Sequence, residues 1–377
     1  MVRPGLVMAT DHEFIVVGAG VLGLSAGRAL TARGREAVVL EQATAGHPGS
    51  GSHGTCRIFR LGYPDPGYVA MAAQSRELWR ELESQAGQQI LGPTAHLTFG
   101  PGLGAVHEGM SRAGAPTELL PASEVAARFP GLVVGGPALL EPESGVLAAD
   151  VALSALAATG APVRPGFRVA SLSDDGRQVT LREAGGAVLT ARHVIVCAGP
   201  WTAQLLAPAG LAVPSAPTLE QVAYLAPIGD PPPGMPIFIR HPEPAPYGLP
   251  VPGSPLYKLG IHPSGPATDP DWQDPGQDDA LLARFSELAA AYLPGFNPVP
   301  VAAERCIYDN SPDEDFILDR SGRITVGSGT SGHGFKFGPL IGGWLASLAA
   351  DDPGGPPADR FGLGRFSAAA AGGSGPR

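Results

Sequence analysis

Lysine is almost missing from this sequence: of its 25 lysine and arginine residues only two are lysine, Lys258 in LYKLGIH and Lys336 in GHGFKF. Cysteine is scarce too. The three cysteines, Cys56, Cys197 and Cys306, form no CxxC pair, which excludes a disulfide framework and a cysteine-based zinc site and fits a reducing compartment. Positive charge is short overall, with a formal net charge of -10 and no basic block, so neither nucleic acid nor an anionic membrane surface is expected as a partner. Nothing in the chain approaches the roughly 20 consecutive apolar residues of a membrane span, and MVRPGLVMATDHEF lacks the apolar stretch of a signal peptide. The expectation is a cytoplasmic protein with no membrane association and no metal centre.

Glycine and proline are abundant, at 53 and 41 of 377 residues. Such a chain drifts toward small residues and arginine. On exposed faces lysine and arginine do similar solvating work, so surface lysines are the first to go. The two that remain are expected where a compact ammonium, whose pKa moves readily on burial, cannot be exchanged for a planar guanidinium. Length and a 44% hydrophobic content suffice for two domains or one large elaborated one.

The strongest local pattern is FIVVGAGVLG at residues 14–23, followed by a helical run to Arg33, then AVVL and Glu41. Gly18 permits the tight turn, Gly20 lets backbone approach a pyrophosphate, and Gly23 allows close packing of helix on strand. Around Val21 the helix start offers unpaired N–H groups to phosphate. Glu41, 18 residues past Gly23, is placed to accept from a ribose hydroxyl. Strand, turn, helix and terminal acid together mark a dinucleotide site. FAD and NAD share this fingerprint, so the motif alone leaves the choice open.

Downstream, a plain nicotinamide dehydrogenase would continue its parallel sheet. Instead come a loop, GHPGSGSHGTCRIFRLGY, a helix from about Gly67 to Glu83, the strand-like HLTFG at 96–100, and a helix at 150–159. Short strands in FRVASL, QVTLRE and AVLTA, joined by Asp-Gly and Gly-Gly turns, lead to HVIVCAGPW. Eleven prolines fall between 227 and 255, which predicts a stiff, ordered, loop-rich segment over a sheet rather than a central strand. The chain closes with ILDRSGRITVGSG, the glycine-rich GTSGHGFKFG, a helix near 340–350, and a tail at 367–377 expected to be disordered.

Four separated stretches, VVGAGVLGLSAG, SHGTCRIFRLGY, YGLPVPGSPLYKLGIH and RCIYDNSPDEDFILD leading to GHGFKF, resemble the monomeric sarcosine oxidase family, which includes N-methyltryptophan oxidase and pipecolate oxidase. The likeness runs from about Glu13 to about Ala350. It implies an α/β fold: a glutathione-reductase-like Rossmann domain for FAD, with an interleaved mixed-sheet substrate domain. By that likeness the FAD-binding domain takes 12–93, 148–215 and 314–366, and the substrate domain takes 94–147 and 216–313. Cys306 matches the cysteine joined covalently to the flavin 8α-methyl carbon. Lys258 matches the lysine that promotes reaction of the reduced ring with oxygen, and Arg60 and Lys336 match the pair that holds the substrate carboxylate. Arg57, Tyr247, His262 and Tyr308 match groups lining the flavin or substrate pocket. Ser52 and His53, with Gly332, His333, Gly334 and Phe335 of the GHGFK loop, match cofactor contacts. Asp309 departs from the threonine usual there, and Cys56 is assigned no role.

The chemistry supplies its own reasons. Oxidising an amine C–H by hydride transfer is a positioning task, and two cations converging on a carboxylate perform it. Passing electrons to oxygen develops negative charge in a desolvated site, where a fixed ammonium is effective. The resemblance thus implies an oxidase of a secondary amine, an N-methyl or cyclic amino acid, that releases hydrogen peroxide and acts as a monomer. Three alternatives remain: an FAD dehydrogenase passing electrons to a protein acceptor, an NAD-dependent dehydrogenase, and a flavin-binding protein with no amine chemistry.

Overall fold

The computed structural model describes residues 10–271 and 276–366; the expected disordered tail lies outside the described residues. The first eight-stranded sheet is built around His12–Val17, which pairs in parallel with Ala37–Leu40 on one side and Val188–Val196 on the other. Val163–Arg164 extends the sheet beyond Ala37–Leu40, and Ile324–Ser328 lies beside the C-terminal half of Val188–Val196, again in parallel. These strands read as unbroken apolar runs such as FIVV and VIV because both of their faces are covered. The expected meander is present as the antiparallel pair Val169–Asp174 and Val179–Glu183, which joins the N-terminal half of Val188–Val196.

Small residues decide how the helices cover this sheet. Helix Gly338–Ala350 lies so close to helix Val21–Ala32 that a Cβ on Gly342 would stand 2.4 Å from the Ser25 Cβ. Helix Pro66–Ala86 starts where the Asp65 side chain accepts from Gly67 N at 2.6 Å, with proline in its first turn, and stops at the left-handed Gly87 (φ 65°). It is longer at both ends than the amphipathic pattern suggested, because cap chemistry rather than hydrophobic spacing sets its limits.

A second eight-stranded sheet runs in the order Ala302–Asn310, Ala216–Leu225, Tyr257–His262, Ala245–Pro250, Ile237–Arg240, His96–Phe99, Ala138–Glu141, Glu118–Leu120. Helix Asp279–Tyr292 packs on it through a core that includes Phe238, Tyr257, Phe285 and Leu288. Here the reading of the proline-rich segment is corrected. Ala245–Pro250 is an interior strand, hydrogen-bonded on both sides despite Pro246 and Pro250. Only Tyr247 and Gly248 pair with the neighbour Ile237–Arg240, so both prolines lie beyond the ends of that short ladder, where a missing donor costs little. A three-stranded sheet of Cys56–Phe59, Gly145–Ala148 and Leu91–Pro93 completes the architecture. Among the described residues no helix is long and apolar enough to cross a membrane.

Candidate active site

A cavity of about 1010 Å³ opens at the C-terminal ends of the parallel strands and continues to the second sheet. In open α/β sheets this crevice is where ligands bind. It is lined by every residue singled out from the sequence as a site candidate except Gly23. Gly23 acts from behind: a Cβ there would meet Gly18 O at 1.9 Å, and one on Gly18 (φ 99°) would meet Cys197 O at 2.4 Å. Glycine at both positions therefore keeps the turn tight and the adjoining strand close. Glu41 is 6% exposed, and its carboxylate accepts from Ala19 N at 2.8 Å and Ala43 N at 2.9 Å. Those bonds tie the glycine turn to the segment that follows strand Ala37–Leu40. The Ser52 hydroxyl accepts from Val21 N at 3.0 Å at the helix start, and a Cβ on Gly20 would stand 3.2 Å from that oxygen. His53 is tied through Nδ1 to the Ser50 carbonyl.

Lys336 is 5% exposed and folds back so that Nζ donates to Tyr63 Oη at 2.7 Å and to its own loop at His333 O, 2.9 Å. The Lys336 carbonyl is gripped from the other side by Ser75 Oγ at 2.6 Å and Trp79 Nε1 at 2.7 Å, one turn apart on helix Pro66–Ala86. The Arg60 guanidinium lies over the same Tyr63 ring, 4.1 Å from its centroid. Its buried Nη1 has no hydrogen-bond partner among the described residues. Two cations thus converge on one phenol with donor capacity left over, which is what an anionic ligand would take up. Burial, and then Arg60, push the Lys336 pKa well below its ordinary value. Burial, and then Arg60 and Lys336, bring His262 down to about 4, and His333 is also lowered well below the usual range by burial and Lys336. At neutral pH His262 is therefore an uncharged wall group, its ring 5.6 Å from that of Tyr308.

The GHGFK loop owes its shape to Tyr308. Gly332 (φ 72°) lies under that ring, and a Cβ there would stand 2.2 Å from Tyr308 Cε2. Gly334 is pressed against Thr330, and Phe335 stacks on Trp79 at 6.0 Å and 5°. Tyr247 crosses Gly260 on the neighbouring strand, and burial pushes its phenol upward, as it does that of Tyr308.

Lys258, 6% exposed, forms the other basic centre. Arg57 beside it donates Nη1 to Cys56 O at 2.9 Å and Nη2 to Gly51 O at 3.3 Å, and covers the Phe335 ring at 5.5 Å. Burial, and then Arg57, lower the Lys258 pKa. Cys306 lines the same cavity. Burial raises its thiol pKa, with Arg57 and Lys258 pulling the other way. Cys197 is pushed up by burial alone, as an inert core thiol is.

Several residues that shape the site carry no signal in the sequence. Tyr63 is the hub between Arg60 and Lys336. Glu141, 1% exposed, accepts from Leu61 N at 3.0 Å and Gly62 N at 2.8 Å, fixing the chain just past Arg60, and bonds His96 at 2.7 Å. Burial alone would raise the Glu141 carboxyl, but His96, Arg60 and the Gly62 N–H outweigh it and hold it at about 2. Nothing in EPESG marks Glu141 as the acid whose partner Leu61 lies 80 residues upstream.

FAD fits this cavity on two grounds: the glycine turn and the helix start at Val21 make a pyrophosphate cradle in which a Cβ on Gly18 or Gly23 has no room, and the lining of the crevice includes both Glu41 and the GHGFK loop. Comparison with known proteins agrees. The sequence model of the family "FAD dependent oxidoreductase" matches residues 13–348. Mouse peroxisomal sarcosine oxidase is 33% identical over 389 residues, covering 96% of this chain and 98% of its own. Monomeric sarcosine oxidase from Bacillus sp. (strain B-0618) is 33% identical over 366 residues, covering 91% and 93%. Among solved structures, NikD, an unusual amino acid oxidase essential for nikkomycin biosynthesis, superposes with a TM-score of 0.84 at 25% identity, covering 94% of this chain and 98% of its own. A two-domain FAD-binding fold, a dinucleotide cradle and relatives matched along almost the whole chain lead to one assignment: this protein belongs to the FAD-dependent oxidoreductase family, among its FAD-dependent amine oxidases.

Proposed function

We propose that the protein oxidises a secondary amino acid, N-methylated or cyclic, to the imine, with oxygen reduced to hydrogen peroxide. The observation that carries this is the convergence of Arg60 and Lys336 on Tyr63 in the cavity that also holds Lys258 and Cys306. In this reading Arg60 and Lys336 bind the substrate carboxylate, and the energy of that contact orients the C–H next to nitrogen. Tyr247, Tyr308 and the neutral His262 form the wall that excludes water around the amine. FAD, when bound, supplies the hydride acceptor and the centre from which electrons leave for oxygen. Cys306 is the residue to which it is covalently attached. Lys258, with Arg57 beside it, provides fixed positive charge where superoxide charge develops. Water then hydrolyses an N-methyl imine to the demethylated amine and formaldehyde.

The names of these relatives support the substrate class, since sarcosine is an N-methyl amino acid. The name of the bacterial relatives, monomeric sarcosine oxidase, supports a monomer. We further propose that the first sheet with its helices, 12–93, 148–215 and 314–366, is the FAD-binding domain, that 94–147 and 216–313 form the substrate domain, and that the protein is cytoplasmic. A dehydrogenase that passes electrons to a protein would show flavin reduction by the amine without peroxide under air. Anaerobic flavin bleaching by N-methyl and cyclic amino acids, followed by peroxide measurement on admitting air, tests the reading.

A further inference from the structure

We propose that Glu304 is the counter-charge that keeps the Lys258 ammonium protonated at working pH, and so sets the pH range over which that group functions. This deepens the reading above and rests on its assignment of Lys258 to the oxygen reaction.

Lys258 pairs directly with Tyr224 across the Tyr257–His262 and Ala216–Leu225 strands, and its Nζ lies 5.7 Å from the Tyr224 ring centroid. The hydroxyl of the same tyrosine donates to Glu304 Oε2 at 2.6 Å. Glu304 lies on strand Ala302–Asn310, two residues before Cys306 and therefore on the same face. It lines the cavity, and its Oε2 stands 3.7 Å from where a Cβ on Gly54 would be, so it closes against the loop that carries His53 and leads into the strand of Arg57. A neutral phenol thus pins one carboxylate beside a cluster of basic groups.

The groups facing Lys258 come from every element around it. Strand Cys56–Phe59 brings Arg57 and Cys56, strand Ala302–Asn310 brings Glu304 and Cys306, strand Ala216–Leu225 brings Tyr224, and the preceding loop brings His53. Leu249 lies opposite on strand Ala245–Pro250 and adds no charge. Burial and Arg57 favour the neutral amine; Cys56, Cys306 and Glu304 oppose them. The cysteines oppose only as thiolates, and burial raises the Cys306 pKa. The lasting opposition comes from Glu304.

The rarity of lysine makes the test direct. With two lysines in the chain, holoenzyme labelled with ¹³C at lysine Cε gives two resonances, and each can be titrated by NMR. In Glu304→Gln, which keeps an acceptor for Tyr224, the Lys258 midpoint should fall by about one pH unit while Lys336 stays where it was. In Glu304→Asp, which keeps the charge, the Lys258 midpoint should return toward the wild-type value. The high-pH loss of flavin reoxidation should move down by the same amount in Glu304→Gln. An unchanged Lys258 midpoint overturns the proposal, as does an equal shift of both resonances, which would mark a general structural effect. If Lys258→Met reoxidises normally, the oxygen role fails, while the NMR midpoint still judges whether Glu304 sets the charge of Lys258.

Discussion

Lys336 donates its ammonium to the Tyr63 hydroxyl at 2.7 Å, across 273 positions of sequence, while Arg60 covers the ring of the same tyrosine. Contacts within the chain thus hold both cations at one point, with Glu141 and His96 supporting the backbone just past Arg60.

The first prediction follows for Lys336. Lys336→Met should weaken binding of a carboxylate ligand by about 2 kcal/mol, roughly 30-fold, the value of a charge-assisted hydrogen bond. Because burial and Arg60 lower the pKa of Lys336, affinity in the wild type should fall as pH rises through that lowered value, and the variant should lose this dependence. Titrating the flavin spectrum with a carboxylate inhibitor over a pH series checks both effects. Unchanged affinity in the variant would remove Lys336 from the clamp.

Cys306→Ala should give protein whose FAD is released into solution by acid, whereas acid should precipitate the flavin with the wild-type chain. Absorbance of the supernatant after precipitation decides it. Flavin that still precipitates with the variant would refute attachment at Cys306.

Lys258→Met should leave anaerobic flavin reduction by substrate nearly intact and slow reoxidation by oxygen roughly 100-fold or more, the scale of losing one preorganised electrostatic group. Stopped-flow measurement of the two half-reactions separates them. Equal losses in both would show that Lys258 organises the site as a whole and has no special part in the oxygen step.

Asp309 is 3% exposed; its Oδ2 accepts from Ser328 Oγ and Gly329 N, each at 2.8 Å, and Oδ1 has no partner among the described residues. Burial raises its pKa to about 6 against the opposing pull of those donors. A raised folded pKa means that the stability linked to the protonated acid is full below about 4 and is lost as pH rises through about 6. Asp309→Asn keeps an acceptor for both donors and cannot ionise. It should therefore be more stable than the wild type at pH 8, on the order of 2 kcal/mol, with the advantage shrinking toward pH 4. Denaturant melts at the two pH values check the sign, and a variant less stable at pH 8 would contradict it.

What could be read from the sequence followed physical locality. The turn at Gly18, Gly20 and Gly23 was legible because its parts are neighbours in the chain and each glycine answers one steric demand. Lys258 and Lys336 stand out because the chain has no other lysine. Their burial at 6% and 5% accords with an environment that singles out an ammonium. Tyr63, Glu141, Tyr224 and Glu304 were not legible, because crossovers between strands decide which distant segment each one meets. The strand Ala245–Pro250 is hidden in the sequence for a related reason: proline density is a local cue, and the shortness of the neighbouring ladder, which makes those prolines tolerable, is not local.

The central claim is that a carboxylate-bearing secondary amine reduces the flavin and that oxygen takes the electrons. It is tested most directly by mixing holoprotein anaerobically with a panel of N-methyl and cyclic amino acids, following loss of flavin absorbance, and then admitting air. The account predicts bleaching by at least one panel member, recovery of the spectrum in air, and one hydrogen peroxide formed per flavin reoxidised. No bleaching by any amine, or bleaching whose electrons yield no peroxide, would contradict it.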